Sequence, residues 1–142
     1  MKSGILSLLL ASFLVGSFAL PTPSYAASDL EAAMEALNDN FKIIRKKSAS
    51  STLDEELVLA ARGAQEALLV ALSLEPNLDH LGLPPAEKAK LFVLFRETIA
   101  KTLVEAYHLE RATLSGDAAD VKVAVDALVE LRAQGHDVFR KK

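Results

Sequence analysis

Between Asp29 and Ile44, Leu30, Met34, Leu37, Phe41 and Ile44 follow each other in steps of 4, 3, 4 and 3. That spacing draws a narrow apolar seam along a helix and predicts packing against other helices; a strand would alternate every second residue. Glu31, Glu35, Asn38, Asp39 and Lys42 fall on the opposite face. Met34 is one of two methionines, the other being Met1, so a single thioether sits on the seam near the start of this segment.

The rest of the chain repeats the helical signature. Beyond residue 26 no segment alternates as a strand does, and no Asn-Gly or Asp-Gly turn joins two apolar runs. Ser28 with Glu31, and Thr52 with Glu55, have the spacing of capping boxes and predict the starts of the first and second helices. The first should run to about Lys47 and stop in Ser48-Ala-Ser-Ser51. The second carries Leu57, Leu68 and a row of alanines (Ala60, Ala61, Ala64, Ala71), which implies close approach of a neighbour or room for something bulky. Pro76 and Gly82 punctuate the next stretch. Pro84 and Pro85 suit the opening of a third helix, with Phe95, Ile99 and Leu103 on its apolar side, ending near Leu114 with Gly116 as the C-cap. Asp117 should cap a fourth helix whose apolar side includes Val121, Leu128, Leu131 and Phe139. Four such segments with mostly short connections predict an all-α fold, an antiparallel up-down-up-down four-helix bundle.

The first 26 residues read differently. Lys2 precedes an apolar run from Ile5 to Leu20, and Pro21-Thr-Pro-Ser-Tyr-Ala26 places small residues, Ser24 and Ala26, ahead of a cut before Ala27. This is the grammar of a secretory signal peptide, and the run is short for a membrane span of ~20 residues. The expected domains are therefore a leader, 1–26, and a helical domain, 27–142. Loss of Lys2 leaves 15 basic against 19 acidic residues, a net charge of −4, and no basic stripe suggests nucleic acid. There is no cysteine. That excludes disulfides, iron–sulfur clusters, zinc ribbons and covalent haem attachment.

In such a bundle the first helix starts at the end where the fourth finishes. Met34 and His136 each lie six residues from that end, about 9 Å along their axes, and so come level. Thioether and imidazole across an apolar pocket suit a haem iron, with both axial positions filled and electron transfer favoured over oxygen activation. A core methionine that only fills space and a histidine near a helix terminus account for the same residues individually. His80, in the loop before the third helix, reads as solvated, with bis-histidine ligation in place of Met34 as its alternative role. Glu105-Ala-Tyr-His108 has the spacing used by di-iron bundles, but those need two such motifs and further carboxylates, and the sequence has one copy.

Two segments, Asp29-Leu-Glu-Ala-Ala-Met-Glu-Ala-Leu-Asn-Asp-Asn40 and Arg132-Ala-Gln-Gly-His136 with Phe139-Arg140, resemble the cytochrome b562 family of periplasmic haem proteins. The Phe95-Arg96 pair and the turn at Gly116 fit the same pattern, and the resemblance is thin from about Lys47 to Glu87. It implies one non-covalent haem b per chain with Met34 and His136 as axial ligands, Leu37 and Phe95 against the porphyrin, and Arg140 near the propionates. It further implies a soluble, monomeric, periplasmic one-electron carrier that is not an enzyme, exchanging electrons with another redox protein and free of membrane and nucleic acid once the leader is removed. Two positions depart from the family's pattern: Gly135 precedes the histidine where an aromatic is expected, and Ile99 stands in place of a second pocket phenylalanine. The alternative expectation is an exported helical binding or stress module that holds no haem.

Overall fold

The structure, a computed structural model, describes residues 27–139, and the expected leader and Arg140 lie outside them. Four helices, α1 (Ala27–Ala49), α2 (Glu55–Leu72), α3 (Pro85–Ser115) and α4 (Ala118–Phe139), account for most of the described chain, with a single turn of 3-10 helix at Asp79–Leu81. Among the described residues there is no strand.

Local chemistry explains each boundary. α1 begins at Ala27, so Ser28 lies inside it rather than at its cap, and it runs two residues past Lys47. It ends where Ser50 Oγ donates to the Lys46 and Lys47 carbonyls and the Thr52 N–H returns to Lys47 O at 3.0 Å. Ser51 makes the turn with φ of 53°. α2 is capped by Asp54, not Thr52: Asp54 Oδ1 accepts the Leu57 N–H at 3.1 Å, while Thr52 Oγ1 lies 2.9 Å from Ser50 Oγ. Pro84 and Pro85 hold the start of α3, where a missing N–H costs nothing. Gly116 ends that helix at φ 72°, and the Gly116 and Asp117 N–H groups bond Thr113 O and Ala112 O in a Schellman arrangement. Asp117 Oδ1 then accepts from the N–H groups of Ala119 and Asp120, both at 3.0 Å, and starts α4.

Lys47 ties the first connection together, with Nζ 2.6 Å from Asp54 and also bonded to Glu56. The Lys47 hydrogen bond, helped by the Leu57 N–H, holds the Asp54 carboxyl below its ordinary range, and Asp54 and then Glu56 raise the Lys47 amine. A depressed carboxyl stabilises the fold above its unfolded pKa and loses that contribution as pH falls through the folded value. Asp54→Ala should therefore lower Tm at neutral pH and flatten its decline on acidification through the usual carboxylate range of about 3.9. Asp54→Asn, which keeps an acceptor for the helix end, should lower the neutral-pH Tm less while flattening the acid limb equally. Thermal melts across that range check both.

Each helix packs on its neighbour in sequence, whereas α1 and α4 touch only sparsely. The core is drawn from all four: Phe41 and Ile44, Leu57 and Leu68, Phe95 and Leu109, Val121 and Leu128 are all buried. The alanine row of α2 is buried too, and its small side chains bring the neighbouring helices close. The approach is close at Gly63, where an added Cβ would lie 2.5 Å from Asn40 Oδ1. α2 is also tied to α3 by Gln65, whose Nε2 donates to Ala106 O at 3.2 Å and to Glu110 Oε2 at 2.8 Å, while Arg62 Nε holds the other Glu110 oxygen at 2.7 Å. Those two hydrogen bonds depress the Glu110 carboxyl, Gln65 contributing most. The bundle is thus tight around α2 and loose along the α1–α4 seam.

Candidate functional site

The loose seam opens into a cleft of about 740 Å³, within the ~300–1,000 Å³ typical of small-molecule and cofactor sites. α1 supplies Leu30, Met34, Leu37 and Phe41 to its walls, α3 supplies Phe95 and Ile99, and α4 supplies Leu131, His136 and Phe139. Leu68 of α2 closes the interior, and Pro76 reaches in from the connection between α2 and α3. The apolar residues are the a/d-type positions of their helices. They line a space here because α1 and α4 do not press together.

Met34 is half-buried and His136 is exposed at the rim of the cleft. Leu37 is half-buried and Phe95 is buried at 5 % exposure. These four sequence-predicted residues therefore line one cleft. Arg140 lies outside the described residues. His80 is exposed on the 3-10 turn and does not line the cleft. His108 is on α3 with Nδ1 3.2 Å from Glu105 Oε2, away from the cleft, and among the described residues no group of three or more His, Asp or Glu side chains could hold a metal ion. A carboxylate-bridged di-iron centre has no residues to build it there.

Two interactions set the cleft's shape. Phe139 meets Phe95 edge-on, with ring centroids 5.3 Å apart and planes at 84°, and pins the end of α4 to α3. Farther along the seam Arg132 Nη2 donates to Asn38 Oδ1 at 3.1 Å, a hydrogen bond that joins α4 to α1 across the opening. The sequence gives a signal for this pair that its charges do not: Asn38 lies one helical turn after Met34, and Arg132 one turn before His136.

Gly135 enlarges the space between α4 and α3. A Cβ there would meet only Thr98 Cγ2, at 3.7 Å, an ordinary contact. Gly135→Ala should therefore gain the helix-propensity difference of about 1 kcal/mol without strain, read as a raised urea midpoint at unchanged m-value.

No family model, curated protein or solved structure matches the chain.

The donor set, lining and volume of the cleft fit a haem. Its walls are mainly apolar, and a thioether and an imidazole lie on its lining from different helices. With no cysteine in the chain, a haem held here would be non-covalent.

Proposed function

We propose that this protein is a b-type cytochrome of the cytochrome b562 type: an exported one-electron carrier holding one haem in the α1–α4 cleft, with Met34 and His136 as axial ligands. The observation that carries the reading is the convergence of these two residues on one apolar cleft. The Asn38–Arg132 hydrogen bond supports the register. In an antiparallel pair, stepping one turn back along α1 and one turn forward along α4 from that bond arrives at Met34 and His136 together. The two-residue connection at Gly116 and Asp117, and the sparse but direct meeting of α1 with α4, support the up-down-up-down arrangement.

Bound haem supplies a one-electron Fe(III)/Fe(II) couple. The chain's own residues hold and shield it. Met34 offers a neutral, soft sulfur and His136 an imidazole nitrogen, a pair that raises the potential relative to harder ligand sets. Leu37, Phe95 and Ile99 contribute apolar contact, while Phe41 and Leu68, at 3 % and 0 % exposure, exclude water from the inner end. His136 at the rim leaves one side of the site accessible for outer-sphere exchange with a redox protein. A carrier of this kind exchanges electrons without turning over a substrate, and we assign it no enzymatic activity. The signal-peptide grammar of residues 1–26 supports a periplasmic location.

Titration of the purified mature protein with haem, followed by absorption spectroscopy, tests the proposal. The expected result is saturation at one equivalent, a sharp Soret band and split visible bands on reduction. Failure to retain haem overturns it and leaves the haem-free binding module as the reading.

A further inference from the structure

Beyond the Asn38–Arg132 bond the α1–α4 seam continues into a second hollow of about 490 Å³, lined by Asn38, Phe41, Lys42, Arg45, Lys46 and Arg132. Four of these six side chains are cations, on a molecule whose net charge is −3. Lys42, Arg45 and Lys46 lie at i, i+3 and i+4 on α1, a spacing that places them side by side on one helix face. Arg132 faces them from α4. Asp39 neutralises only Lys42, at 2.7 Å, and neither Arg45 nor Lys46 forms an ion pair among the described residues. The dipole at the end of α1 favours a cation at Lys46, but it does not account for Arg132, which comes from another helix. Clustered like charges weaken the fold slightly, so their placement here points outward.

We propose that this basic hollow docks an acidic protein surface, that of the electron-exchange partner, directly beside the cleft with which it shares Asn38, Phe41 and Arg132. The partner's redox role rests on the electron-carrier reading; the charge recognition does not. A protein surface fits better than a small anion. The cations are exposed and long, Lys42 with 68 % of its side chain accessible, and no buried polar group is aimed into the hollow to grip a single ion. Exposed charges of this kind act in sum, steering and orienting an extended surface of opposite sign. Phe41, 3 % exposed, makes the floor apolar.

The test is a nuclear magnetic resonance titration of isotope-labelled mature protein, with and without haem, using an octaglutamate peptide. Shifts should concentrate on Asn38 to Lys46 and around Arg132. Affinity should weaken on the order of tenfold when salt is raised from about 0.01 to 0.1 M, as the Debye length shrinks from about 30 to 10 Å. The double variant Arg45→Glu, Lys46→Glu should lose affinity by at least as much while retaining wild-type helicity and haem titration. Shifts located elsewhere, an unaffected double variant, or inorganic phosphate reproducing the pattern at equal charge concentration would overturn the proposal, the last in favour of a small-anion site. Peptide binding at the hollow in a protein that retains no haem would strike the electron-carrier reading alone.

Discussion

Replacing His136 with alanine is expected to abolish the six-coordinate low-spin spectrum of the haem-loaded protein and to weaken haem retention by at least the order of tenfold, ~1.4 kcal/mol. Met34→Ala should also remove the low-spin signature, giving a five-coordinate high-spin species that still holds haem through the imidazole. The asymmetry follows from the ligands: imidazole nitrogen is the stronger donor, and thioether sulfur is weak and neutral. No replacement ligand stands ready. His80 is exposed on the 3-10 turn and outside the cleft, and His108 sits on α3 beside Glu105. The stability readout separates ligand loss from unfolding. His136 is exposed and Met34 only half-buried, so melts of the haem-free variants should lie close to wild type, with Met34→Ala costing less than the ~2–5 kcal/mol of a fully buried methionine. If both variants keep a wild-type low-spin spectrum, the ligand assignment is wrong.

The features that could be read from the sequence are those set by near neighbours. The α3–α4 turn needs a residue comfortable at positive φ followed by a short acceptor, and Gly116-Asp117 supplies both, so helix end and helix start coincide with the expected residues. The α1–α2 connection misled for an equally local reason. Thr52-x-x-Glu55 and Asp54-x-x-Leu57 are overlapping cap frames, and the balance falls to Asp54 because Lys47, seven residues back, pairs with its carboxylate. The spacing of Met34, Leu37 and Phe95 marked them as apolar-face residues. That α1 and α4 stand apart at those residues was not legible, because it depends on contacts between helices: the close approach of α1 to α2 at Gly63 and the Phe95–Phe139 contact that holds α4 to α3. By its spacing Asn38 falls on the polar face of α1. Only the register of two helices distant in sequence makes it and Arg132 a bridge across the opening.

The largest loss of stability should come from the opposite part of α1. Ile44 is fully buried, belongs to the central core and does not line the cleft. It lies ten residues from Met34, about 15 Å along the helix axis. Ile44→Ala removes buried methyl and methylene groups and leaves a cavity in the core, a combination that costs ~2–5 kcal/mol. The core has little freedom to collapse, since Leu57, Leu109 and Leu128 are themselves at 0 % exposure. Ile44→Val, which deletes one carbon, should cost only about 0.5–1.5 kcal/mol. Because a ligand that binds only the folded state adds the same stabilisation to any variant with an intact site, one saturating equivalent of haem should raise the unfolding free energy of wild type and Ile44→Ala equally, while adding little to His136→Ala. Urea melts of the three proteins with and without haem measure this. A haem increment lost together with Ile44 would mean that the cleft depends on core packing beyond Phe41, the buried core residue of α1 that also lines the cleft.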